Sequence, residues 1–264
     1  MPDPISTIIT GAKGASTAIS LAKQAKELGL LEKLINVFKK KHKILVLGAT
    51  GVGKTQLLSS LITEIPEAIN NMNRSEFVDD IQLKISKNIF IFVDTPGQEQ
   101  HKPKRMKATG EAMKHGIEGI INITAYGYHE SRTGKSEVFD NNGKIREDFL
   151  TKRRKTEIDL LSEWTELIGD KETSKWLITL VNKADLWWDK KDEIISHYES
   201  GQYFKALGSA RALSPSVLPY CAVFHKFYGE SPTCGLFDDK DRVDVKESLL
   251  AQLISAIGKG GLKL

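Results

Sequence analysis

Cysteine is nearly missing from this chain: Cys221 and Cys234 are the only two in 264 residues. Such a pair supplies neither a disulfide framework nor metal-ligand spacing, and it suits a reducing compartment. No apolar run reaches the roughly 18 residues that would suggest a membrane-crossing helix. The start, Met1-Pro2-Asp3-Pro4, lacks both the basic opening and the apolar core of a secretory signal. A cytoplasmic protein is the expectation. A dominant sign of charge is also lacking. The net charge is +4 and the pI about 8.8, too mild to argue for a nucleic-acid partner. Threonine is absent between Glu64 and Asp94, where Ser75 is the hydroxyl of the polar 66–76 loop. What is present is ordinary: 40% hydrophobic and 27% charged residues, enough apolar material for one large α/β domain with an extension.

The most informative stretch is Gly48-Ala49-Thr50-Gly51-Val52-Gly53-Lys54-Thr55-Gln56. It follows the apolar run Ile44–Leu47 and leads into a helical pattern through Leu57, Leu58 and Leu61. Strand, glycine-rich turn and helix start form the context in which this spacing cradles phosphates. Glycines let the backbone curl so that N–H groups point inward, and the helix adds its positive end. Lys54 would reach the β- and γ-phosphates, and the Thr55 hydroxyl would ligate Mg2+.

Further along, residues 77–85 alternate as a half-buried strand, and Ile89–Val93 reads as a central strand ending at Asp94-Thr95-Pro96-Gly97-Gln98. A polar segment with a weak helical pattern covers 99–115. Gly119–Thr124 is the next strand, and 126–148 reads as a polar inserted loop without periodicity. Phe149–Ile168 is helical, and its Lys152-Arg153-Arg154-Lys155 cluster reads as a solvated face. Trp176–Val181 is a strand closing on Asn182-Lys183-Ala184-Asp185. A mostly helical stretch over 189–212 and a last strand, Val217–Ala222, follow; Pro219 places that strand at a sheet edge. A loop over 229–241 leads to a closing helix, Val243–Ile257. Strands alternating with helices imply a mostly parallel sheet with helices on both faces.

Each motif stands directly after a strand, where open α/β sheets bind ligands. Asp94 is placed to support Mg2+, and Gly97 leaves room for a γ-phosphate to meet a backbone N–H. Asp185 accepts hydrogen bonds only, so it suits the N1–H and 2-amino group of guanine. Adenine would leave that carboxylate unpaired. The Lys183 stem can cover the base, and Asn182 would tie this loop to the phosphate loop.

Together these motifs resemble the Ras/Era-like, translation-factor-related class of P-loop GTPases. The likeness in architecture spans 43–258. It implies a three-layer P-loop G domain with six strands in the order 2-3-1-4-5-6, the strand over 77–85 being antiparallel. It also implies a division into an N-terminal helical extension, 1–42, and a GTPase domain, 43–264, with an insertion near 126–148. Cys221-Ala222 stands where the family usually has Ser-Ala, which gives the Ala222 N–H to the guanine oxygen. Ser75 is the candidate for the switch hydroxyl on Mg2+; Arg74 beside it reads first as a surface residue or the partner of a neighbouring acid, and second as a built-in arginine finger. Gln98 follows the Pro-Gly pair and would orient the attacking water. Thr50 occupies a position often held by Gly, where a side chain could crowd Gln98.

The resemblance therefore implies a GTP-binding switch that hydrolyses GTP to GDP and phosphate. Two alternatives stand beside it: a nucleotide-controlled binding module with negligible hydrolysis, and an ATP-using P-loop enzyme. A protein effector or regulator is implied as partner. The apolar stripes over 5–38, next to the basic run Lys39–Lys43, read as helices. Packing on the following domain ranks first for them, a partner or second copy next, and a membrane surface last.

Overall fold

Long apolar runs make the centre of this molecule. Ile44–Leu47 and Gly119–Thr124 are continuous stretches whose side chains must leave water on both sides of a strand. The computed structural model describes residues 41–62, 80–85, 88–94, 102–114, 116–130, 134–168, 176–213, 215–224, 227–229 and 236–261. The strands are β1 (Lys41–Gly48), β2 (Asp80–Ile85), β3 (Asn88–Asp94), β4 (Gly119–Thr124), β5 (Trp176–Val181) and β6 (Ser216–Pro219). They form one sheet in the order β2-β3-β1-β4-β5-β6. Only β2 runs antiparallel to its neighbour; the other pairings are parallel.

Every residue of β4 and β5 is buried. Successive side chains point to opposite faces, so helices cover the sheet on both sides. These helices are α1 (Lys54–Ile62), α2 (Lys102–Lys114), α3 (Glu147–Ile168), α4 (Lys191–Ser200), α5 (Gln202–Ala206) and α6 (Asp239–Gly261). α1 packs on β1 and β2, α4 and α6 on β6, and α2 against α3. Among the described residues, no helix is long and apolar enough to cross a membrane.

Two polar side chains inside the sheet are satisfied by one tyrosine. Asn122 and Thr179 sit side by side in register on β4 and β5. The buried Tyr203 hydroxyl accepts from Asn122 and meets Thr179 Oγ1 at 3.1 Å. Leaving these groups dry and unpaired would cost about 1–3 kcal/mol each, so α5 is fixed to the sheet by chemistry as well as by shape.

Several sequence expectations shift against this frame. The last strand stops at Pro219 instead of Ala222, because the chain turns at Tyr220, whose N–H donates to Val181 O at 2.8 Å. Within the weak pattern over 99–115, Lys102–Lys114 is a regular helix, α2, and the closing helix starts at Asp239, inside the expected loop. His42 is 2% exposed, and its Nδ1 pairs with Glu118 Oε2 at 2.6 Å. The Lys152–Lys155 cluster is not uniformly solvated. Arg154 lies over the Tyr126 ring at 4.6 Å and pairs with Glu147.

The inserted segment departs most from expectation. It carries one helical turn, Lys135–Val138, and an antiparallel bridge between Phe139 and Ile145. Tyr128, His129 and Val138 are buried in it. The helices read over 5–38 lie outside the described residues.

Candidate functional site

β1 ends at Gly48 and α1 begins at Lys54, so residues 49–53 form the turn between them. The first N–H groups of any helix have no partner within it, and they give its start a positive end. No acidic side chain stands in the first turn of α1 to compete for that end. Lys54 folds back over the turn, its Nζ donating to Gly48 O at 2.9 Å and Ala49 O at 3.3 Å. Thr50 and Gln56 are exposed and Thr55 is half-buried. Gly53 has φ +93°, and a Cβ there would fall 2.4 Å from Asn182 Nδ2. Only glycine meets both demands.

Asn182 is the hinge-pin of the site. Its Nδ2 donates to Val52 O at 2.8 Å, its Oδ1 accepts from Ala222 N at 3.1 Å, and its own N–H donates to Thr124 O at 2.8 Å. One buried amide thus joins the phosphate loop, the end of β4 and the segment after β6. The expected tie to the phosphate loop is present. The Ala222 N–H donates to Asn182 Oδ1, so a guanine oxygen would have to replace that bond.

Lys183 adopts φ 60°, ψ 40°, a left-handed conformation that non-glycine residues rarely take. It opens a short 3₁₀ turn, Ala184–Leu186, in which Asp185 is 1% exposed. Cys221 Sγ lies 3.4 Å from Asp185 Oδ1. Below the turn, Trp187 is fully buried and donates from Nε1 to Asn182 O at 2.9 Å. Ala184 N donates to Tyr220 O at 2.9 Å. The loops after β5 and β6 therefore form one body around Asp185.

On the phosphate side, Asp94 ends β3 in register with Val46 of β1, which places its backbone beside the start of the phosphate loop. The Asp94 side chain, with Arg74, Ser75, Gly97 and Gln98, lies outside the described residues. By their chemistry, the Thr55 hydroxyl and the Asp94 carboxylate are the side chains here that could serve a cation. Both are hard oxygens, the set that suits Mg2+ when phosphate oxygens and water complete its shell.

Residues 43–163 match a family model described as 50S ribosome-binding GTPase. The match supports a GTPase domain of the P-loop class, and with it GTP binding. Among curated proteins, none matches the chain. The GTPase match takes in Gly48–Gln56, Asp94 and Gly97 and stops before Asn182. The base-side residues thus rest on geometry alone, and Asn182 joins them to the matched phosphate loop.

Sequence reasoning missed the residues that the inserted segment adds to this candidate site. Glu130 N donates to Gly51 O at 3.2 Å, and Glu130 Oε2 lies 3.3 Å from Lys183 Nζ. Just before it, His129 Nε2 meets the buried Glu157 Oε1 at 2.6 Å. That carboxylate also accepts from Ala125 N, Gly127 N and Tyr198 OH. No spacing rule marks these residues, and the unusual length of the segment is the one signal that could have directed attention to them.

Proposed function

We propose that this protein binds GTP with Mg2+ and hydrolyses it to GDP and phosphate, acting as a nucleotide-dependent switch in the cytoplasm. The observation that carries the reading is the double hydrogen bond of Asn182, to Val52 O and from Ala222 N. It puts the 48–53 turn and the buried Asp185 carboxylate at one end of one sheet. A ligand that fills both has a polyphosphate at one end and, at the other, a ring with adjacent N–H donors. Guanine has these donors and adenine does not.

In this reading the 48–56 turn and Lys54 hold the β- and γ-phosphates. Lys54 gives up the carbonyls of Gly48 and Ala49 for phosphate oxygens. Lys183 covers one face of the base, and Asp185 accepts from it. Mg2+ held by Thr55 and Asp94, with Ser75 as the third candidate, neutralises phosphate charge when bound. Gln98 orients the attacking water, and the loops around Ser75 and after Gly97 read the γ-phosphate. In this reading Thr50 crowds Gln98 and slows unassisted turnover, to the order of 10⁻⁴ to 10⁻² per second. A protein effector or regulator then reads the switch. For the N-terminal segment, packing or contact with a second copy is favoured over a membrane surface.

The base assignment is tested by Asp185→Asn. Exchanging the acceptor for an amide should weaken GTP by about a hundredfold and raise affinity for xanthosine triphosphate, as read by calorimetry with Mg2+ present. Unchanged GTP affinity, or wild-type protein that takes ATP as well as GTP, removes guanine recognition. Hydrolysis is tested separately by single-turnover phosphate release. Gln98→Ala should slow it by at least tenfold; equal rates would take Gln98 out of the mechanism.

A further inference from the structure

The inserted segment touches three described loops: the phosphate loop, the loop after β5 and the 227–229 turn. Its Glu130 N–H donates to Gly51 O in the phosphate loop at 3.2 Å. The fit there is close: a Cβ on Gly51 would fall 2.0 Å from Glu130 O. The carboxylate divides between the other two loops. Oε2 pairs with Lys183 Nζ at 3.3 Å, and Oε1 accepts from Tyr228 N at 3.0 Å.

Lys183 is 9% exposed in its side chain, and Glu130 is 28% exposed. Burial pulls the Lys183 ammonium below its ordinary pKa, and the Glu130 charge opposes that pull, with Asp185 adding a smaller share. The ammonium also lies 5.2 Å from the Phe227 ring centre. Phe227 is fully buried and meets Tyr128 and Phe139 of the insertion edge-to-face, while Tyr228 meets Phe139 and Phe149. The Tyr228 hydroxyl reaches back to His129 O at 3.4 Å. The insertion is thus bonded to the Lys183 loop and to the 227–229 turn, and Glu130 is the residue through which the three loops meet.

We infer that Glu130 is a positioning residue for guanine-nucleotide retention: it holds the Lys183 stem in place over the base and ties the 227–229 turn to the phosphate loop. The inference rests on the GTP-binding reading above and adds to it a determinant of how long the nucleotide stays. Because Glu130 acts through Lys183, on the base side, its effect is the same for di- and triphosphate.

The test is nucleotide release from full-length protein loaded with fluorescent GDP or with a fluorescent non-hydrolysable GTP analogue. Glu130→Gln keeps an oxygen that can accept from Tyr228 N but removes the charge facing Lys183. It should release both nucleotides about tenfold faster, with thermal melting of the empty protein unchanged. Glu130→Asp serves as the conservative variant and should recover part of the retention. In a Lys183→Gln background, adding Glu130→Gln should produce little further change, since the partner is already gone.

Release from Glu130→Gln within twofold of wild type overturns the inference. So does an effect confined to the triphosphate, or full additivity with Lys183→Gln. Should wild-type protein retain no guanine nucleotide, the GTP-binding reading falls and this inference falls with it. Retention by wild type with no response at Glu130 removes only the inference.

Discussion

At the scale of single residues, the site depends on atoms that approach too closely to allow substitution. Gly53 combines φ +93° with a Cβ direction that points at Asn182 Nδ2, 2.4 Å away. Gly53→Ala must therefore accept a left-handed backbone, at about 1–2 kcal/mol, and displace an amide bonded to Val52 O. Breaking that buried hydrogen bond adds about 1–3 kcal/mol. GDP affinity should fall by about a hundredfold or more, measured by calorimetry, and a loss below about threefold would show that Asn182 is not the link. Cys221 makes a second residue-scale claim. Burial, followed by the charge of Asp185, pushes its thiol well above the ordinary range. A thiol without thiolate is a poor nucleophile. Iodoacetamide at about pH 8 should leave Cys221 unmodified in folded protein and alkylate it fully in denaturant, read by peptide mass mapping. Rapid labelling of the native protein would mean that the loop after β6 opens. The phosphate-loop residues were legible in the sequence because their spacing is itself the chemistry. The occupation of Ala222 N–H by Asn182 was not, since no pattern tells which acceptor a backbone donor will choose.

At the scale of elements, α3 holds the inserted segment through one buried carboxylate. Glu157 accepts from Ala125 N, Gly127 N, His129 Nε2 and Tyr198 OH, at 2.9, 3.3, 2.6 and 2.6 Å. Burial pushes its pKa up, but the His129 pairing and the hydrogen bonds from Tyr198 and the Ala125 N–H outweigh it, and the net shift is downward from 4.5. A depressed carboxyl contributes stability that is fully present above its unfolded pKa and is lost as pH falls through the folded one. Glu157→Gln should therefore cost about 3 kcal/mol at neutral pH. The gap to wild type should narrow steadily as pH drops below about 4.5, as shown by urea unfolding across that range. A gap independent of pH would mean that Glu157 is neutral in the fold. This arrangement explains why the insertion reads as a featureless polar loop. It has no repeating face, because it is held by point contacts to residues far away in sequence. By contrast, β4 and β5 announce themselves: each is an unbroken run buried on both faces, and each is found at the residues expected for it.

At the scale of the whole molecule, the candidate site residues stand at the carboxyl ends of β1, β3, β5 and β6, so the proposed site draws on both halves of the sheet. That is why the motifs could be placed from sequence: each follows a strand, and parallel strands bring their ends to one side. The joining atoms could not be placed, because the Asn182 bond to Val52 O spans 130 positions and depends on the sheet closing around it. A ligand held by both halves should stabilise them together. GDP at about a thousand times its dissociation constant should add about 4 kcal/mol to unfolding. For a protein of this size that corresponds to an upward shift of about 8–16 °C. All four tryptophans, Trp164, Trp176, Trp187 and Trp188, lie on α3, on β5 or just after β5, far along the chain from the phosphate loop. Trp187 and Trp188 follow β5 on the base side, whereas Trp164 lines a cavity with Leu47 and Gly48 and Trp176 opens β5 at its far end. With Trp164 and Trp176 replaced by Phe, tryptophan fluorescence reports the base side, while far-UV circular dichroism reports every helix and strand. Both signals should move by the same amount with GDP and stay put with ADP. A fluorescence transition that ignores GDP while the dichroism shifts would mean that the phosphate loop binds on its own and that Asp185 does not reach the ligand. If the two shift together for guanine and for no other base, the ends of the sheet work as one site.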